Sequence, residues 1–117
     1  MTEEPAPTGV VPYVEWHTGR RRTLTIDLRH LTGVIVAVSV DRITPTVGID
    51  GRQYVAYWGR VFFEVPADRA VHVAVSLQEG VQAASVLIPA GGAAYLDYVA
   101  DFRAGRATLS VPPPLTP

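Results

Sequence analysis

The chain of 117 residues has no cysteine, and all ten of its Lys/Arg positions are arginine. Without cysteine there are no disulfide staples, no thiolate metal sites and no cysteine nucleophile, so stability must come from an apolar core. An excess of one charge is also missing. The formal net charge is −1 and the pI about 6.3, which gives no general attraction to phosphate backbones or acidic membranes, so nucleic acid is not an expected partner. The longest apolar run, Val34 to Val40, is strand-sized and falls far short of the roughly 20 residues of a membrane-spanning helix. Direct membrane insertion is therefore not expected. The segment Met1 to Pro7 lacks the basic-then-apolar order of a secretory signal. That favours a cytoplasmic location, or an envelope-associated one if the chain is a fragment of a longer protein. Helical periodicity is scarce too, because ten glycines and ten prolines punctuate the chain.

What is present is period-two alternation. Hydrophobic residues make up 48% of the chain and charged residues 18%, a balance that supports a packed domain. We expect a flexible tail at 1–8, a single domain at 9–111 and a proline-rich tail at 112–117. Within the domain, Val10 to Trp16 reads as a first strand, and Thr23 to Leu28 alternates Leu24, Ile26 and Leu28 with polar residues. A turn follows at His30 to Gly33. Val34 to Val40 is apolar on both faces, as a central strand would be. Thr46 to Ile49 and Gln53 to Tyr57 flank Asp50-Gly51, a tight-turn dipeptide. Arg60 to Val65 follows a reversal at Trp58-Gly59 and ends at Pro66. Val71, Val73, Val75 and Leu77 then alternate with Ala70, His72, Ala74 and Ser76. Val81 to Ile88, Ala93 to Val99 and Ala107 to Val111 complete about eight short strands. The expected fold class is all-β, a two-sheet antiparallel β-sandwich of Ig-like type.

The order Ile49-Asp50-Gly51-Arg52, Trp58-Gly59 and Phe63-Glu64-Val65-Pro66-Ala67-Asp68-Arg69, followed by alternating valines, resembles the PEGA-type β-sandwich modules. It is most similar to the variant on actinobacterial proteins in which a Trp-Gly pair stands between the two motifs. The likeness covers about residues 46–98, and the sequence departs from the pattern where Asp68 replaces a turn glycine and where His72 is displaced by Val71. The resemblance implies a non-catalytic accessory or structural module, often envelope-associated, with no cofactor.

No residue pattern selects a reaction. His17, His30 and His72 lie in separate segments without metal-ligand spacing, so no metal site is expected. Ser39, Ser76 and Ser85 sit inside expected strands, Ser110 lies near the end of the domain, and none occupies a nucleophile turn. Two binding candidates remain. Arg20, Arg21 and Arg22 concentrate positive charge and could pair with carboxylates or phosphates. Tyr54, Tyr57 and Trp58 crowd one expected hairpin spanning Gln53 to Phe63 and could form an aromatic platform for a sugar or protein. A third feature is the small-residue face of the valine strand, Ala70, His72, Ala74 and Ser76, echoed by Ala37 and Ser39, which would let a second sheet or protomer approach closely. The expected function is a non-enzymatic binding or assembly module contacting protein, either as a homo-oligomer or inside a larger assembly. The alternative is a carbohydrate-binding module using Tyr54, Tyr57 and Trp58.

Overall fold

The computed structural model describes residues 10–11, 18–31, 43–77 and 82–111. The expected strand at Val34 to Val40, most of the one beginning at Val10, and both tails lie outside the described residues. Among the described residues there is no helix. The strands are β1 (Val10–Val11), β2 (Arg21–Leu31), β3 (Thr46–Ile49), β4 (Arg52–Val55), β5 (Gly59–Pro66), β6 (Val71–Ser76), β7 (Ala84–Ile88), β8 (Ala94–Asp101) and β9 (Arg106–Ser110). Eight of these run four residues or longer, and β1 is a two-residue addition.

They form a two-sheet β-sandwich. One sheet has the order β4-β3-β6-β7 and is antiparallel throughout. The other has the order β1-β5-β2-β8-β9 and is mixed rather than wholly antiparallel, because β2 runs parallel to β8 and β1 parallel to β5. The parallel pairing also lengthens β2. His30 and Leu31, expected in a turn, stay in the ladder opposite Ala100 and Asp101.

Alternation decides which side chains meet. From the four-stranded sheet, Val47, Ile49, Val71, Val73 and Val75 point inward and are wholly buried. From the other sheet come Leu24, Ile26 and Leu28 of β2, Val61, Phe63 and Val65 of β5, and Leu96, Tyr98 and Ala100 of β8. All belong to one cluster that joins the two sheets. At one side of the sandwich the edge strands β7 and β9 run close together. At the β3–β4 turn, Asp50 and Gly51 take φ values of 51° and 90°, the left-handed pair that a two-residue hairpin needs.

The expected hairpin from Gln53 to Phe63 does not form. β4 belongs to one sheet and β5 to the other, and the chain crosses between them through Tyr57, Trp58 and Gly59. Gly59 has φ of 116°, a value that a residue with a β-carbon rarely adopts.

The single apolar layer fixes the stability prediction for this region. Leu24→Ala opens a cavity between sheets at a fully buried position and lowers unfolding free energy by about 2–5 kcal/mol in denaturant titration. Arg29→Ala, on an exposed side chain of the same strand, changes it by less than about 1 kcal/mol.

Candidate functional site

The two outer faces of the sandwich differ in charge. Outside the five-stranded sheet, arginines and carboxylates pair across the strands. Arg21 meets Glu64, Arg60 meets Asp27 and Arg29 meets Asp97, each at 2.7 Å. Arg60 and Arg29 both use two guanidinium nitrogens on two carboxylate oxygens. The Arg60 hydrogen bonds hold the Asp27 carboxyl below the usual carboxylate range, opposed by partial desolvation. Such exposed pairs add little to stability and mark a solvated face. Tyr95, half exposed, and Phe62 flank Thr25 on the same face.

Outside the four-stranded sheet no outward position of the described strands is Asp, Glu, Lys or Arg. Three rows cross it. Val55, Thr46 and Ser76 form the first; Gln53, Gly48, Ala74 and Ser85 form the second; His72 and Leu87 form the third. The middle row is flat, and the Gln53 amide covers Gly48 so closely that a β-carbon there would sit 3.1 Å from its Nε2. Val55 at 66% and Leu87 at 63% exposure stand at opposite edges of this face. Three of the four residues expected on the contact face, His72, Ala74 and Ser76, lie here. Ala70 precedes β6 and is exposed. At the end of the face, Asp50 accepts hydrogen bonds from the His72 backbone N–H at 3.0 Å and from Arg69 at 2.8 Å.

The other two candidate groups are dispersed by the fold. Arg21 points outward to Glu64, whereas Arg22 shares the inward parity of Leu24 and is 9% exposed. Its guanidinium donates to the carbonyls of Pro66 at 2.9 Å, Gly92 at 3.2 Å and Arg69 at 3.4 Å. It therefore ties two turns to the end of β2, while burial lowers its hold on its proton. Arg20 is exposed just before the strand. The three guanidiniums thus do not share one surface.

Nor do the three aromatics. Tyr54 points into the sandwich, 5.6 Å from the ring of Phe63, with its hydroxyl oxygen buried. Trp58 donates its indole N–H to the Ile43 carbonyl at 2.8 Å and lies between His30, at 4.7 Å, and Tyr98, at 6.5 Å. Only Tyr57 is largely exposed, at 71%. Among the described residues no three His, Asp or Glu side chains gather as metal ligands. His30 sits in the Trp58 cluster and His72 on the uncharged face. His17 and Ser39 lie outside the described residues.

Three features of the site were missed by sequence reasoning: the inward role of Arg22 and the exposed Val55 and Leu87. Arg22 and Leu87 had a signal in parity, since Arg22 is in phase with Leu24 and Leu87 is out of phase with Ile88. Comparison with protein-family models, curated proteins and solved structures finds no match.

Tyr98 supplies a pH test of this packing. Its hydroxyl donates to the Gln82 carbonyl at 2.6 Å, and burial pushes its pKa up to about 12. The folded state therefore favours the neutral phenol. That stabilisation is intact below the ordinary tyrosine value of about 10 and is lost as pH rises from there toward 12. Ultraviolet titration of the folded protein is expected to show one tyrosine ionising near 12, a step that Tyr98→Phe removes.

Proposed function

We propose that this chain is a non-enzymatic β-sandwich module that makes protein–protein contact through the outer face of its four-stranded sheet, as a homo-oligomer or as part of a larger assembly. The observation that carries this reading is the contrast between the two outer faces. Covering the five-stranded sheet would strip water from bidentate Arg–Asp pairs, and removing ions from water costs on the order of several kcal/mol each unless new partners replace the solvent. Covering the other sheet removes water from valine, leucine, alanine, glycine and uncharged hydrogen-bonding groups, with no such cost. Small residues in the middle row let the backbone of a partner come close. The PEGA-like order of motifs from Ile49 to Arg69 agrees with an accessory, contact-making role.

A carbohydrate-binding role for Tyr54, Tyr57 and Trp58 has less support. Stacking on a sugar ring needs aromatic faces presented together, and here one ring is inside, one is in a cluster with His30 and Tyr98, and one is exposed.

Ala74 lies in the middle row, between Gly48 and Ser85. Ala74→Arg places a charge there without entering the core, so the thermal melt is expected to stay within a few degrees of wild type. Association measured by light scattering is expected to weaken at least about tenfold, or 1.4 kcal/mol. Arg60→Ala on the opposite face leaves association unchanged. An Ala74→Arg protein that associates as well as wild type contradicts the reading.

A further inference from the structure

The four-stranded sheet has two edges, and they are finished differently. β7 runs beside β9 of the opposite sheet, whereas among the described residues β4 is paired on one side only, with β3. The phase of that pairing can be read. The N–H of Ala56 donates to the carbonyl of Pro45 at 2.8 Å, and in an antiparallel ladder the bonded pairs alternate. Tyr54 opposite Val47 and Arg52 opposite Ile49 are in the same phase. Gln53 and Val55 therefore direct their backbone N–H and C=O groups away from β3, toward the side on which no described strand pairs with β4.

Soluble proteins protect such an edge with lysine, proline, a bulge or an inward-pointing charge. β4 (Arg52–Val55) pairs with β3 in unbroken register and holds no lysine or proline, and its one inward-phase charge, Arg52, stands at the turn. Instead, Tyr57 and Val55 are the two most exposed large hydrophobic side chains of the described chain, at 71% and 66%, two residues apart. The strand's one ionised residue, Arg52, is at its far end.

We propose that the β4 edge binds a second copy of this chain, antiparallel about a twofold axis, joining two four-stranded sheets into one continuous sheet. This rests on the reading of the four-stranded sheet as the contact sheet and names its first partner. The charge and backbone phase select the pairing. With Val55 opposite the second copy's Val55, both residues present outward backbone groups and exchange two N–H···O bonds. Gln53 then faces the second copy's Tyr57, and the exposed valines cover each other on the axis. The same register puts Arg52 opposite the second copy's Trp58. The two Arg52 residues are then six residues apart along the strands, about 20 Å, beyond the screening distance of physiological salt. The joined sheet presents its uncharged outer face twice, side by side.

The register gives a direct test. In wild-type full-length protein, light scattering between about 10 and 300 µM is expected to show a dimer. Val55→Pro removes only the outward donor, since the bonds to β3 come from Tyr54 and its phase-mates. It is therefore expected to fold with the wild-type circular dichroism spectrum and to remain a monomer over that range. The natural chain has no cysteine, so Val55→Cys carries a single thiol. In an antiparallel bonded pair the two α-carbons are about 5.5 Å apart, within the range a disulfide spans. Val55→Cys is expected to oxidise to a covalent dimer, while Ser85→Cys, in the middle of the face, is not. A monomeric wild type, or a Val55→Pro protein that still dimerises, overturns the proposal. If Ala74→Arg abolishes association while Val55→Pro does not, the edge inference fails and the face reading stands. If Val55→Pro alone abolishes it, the edge inference holds without the face.

Discussion

The dry layer between the two sheets is the constraint on which the rest of the structure depends. Every strand that enters it does so with period two, so each inward Val, Leu, Ile or Phe fixes the outward direction of its neighbours. A slip of one residue in β6 would expose Val71, Val73 and Val75 and bury His72, Ala74 and Ser76. The outer faces are thus by-products of core packing, and their chemistry is set by whatever the sequence places at the remaining positions. On β2, β5 and β8 those positions hold complementary charges that pair across strands. On β3, β4, β6 and β7 they hold no Asp, Glu, Lys or Arg.

This difference links the structure to the proposed function. A face of paired charges is stable in water and costly to cover, while an uncharged face with exposed Val55 and Leu87 gains by being covered. Arg22 shows that the rule concerns position and not residue type. Turned inward by its parity with Leu24, it serves as a connector of turns, with three backbone carbonyls supplying the hydrogen bonds that water would otherwise give. Asp50 does similar work at the end of the uncharged face, fixing the β3–β4 turn to the start of β6 through the His72 backbone and Arg69.

Much of the fold was legible in local pattern. The inward valines of β6, the Asp50-Gly51 turn, β3 and the all-β two-sheet class follow from alternation and turn chemistry that involve only near neighbours. What was not legible is non-local. Nothing in the sequence between Gln53 and Phe63 says that β4 and β5 belong to different sheets, because a crossing and a hairpin both need only a reversal near a glycine. The parallel pairing of β2 with β8 joins segments about 70 residues apart, a relation that no local signal encodes, and it carried His30 and Leu31 into a strand. The same gap dispersed two candidate sites. Clusters such as Arg20 to Arg22 or Tyr54 to Trp58 are adjacent in sequence, but strand alternation and the sheet crossing send their members to different sides. His72, Ala74 and Ser76 were legible as one side of β6 because that depends on alternation alone, whereas Ala70 lies before the strand.

The central claim, that the outer side of the four-stranded sheet is covered by protein while that of the other sheet is not, is tested most directly by solvent paramagnetic relaxation of methyl groups, recorded from dilute to concentrated protein. The methyls of Val55, Ala74 and Leu87 are expected to lose solvent access as concentration rises, while those of Val99 and Thr108 on the opposite face keep it. Equal and unchanged access on both faces at every concentration would contradict it.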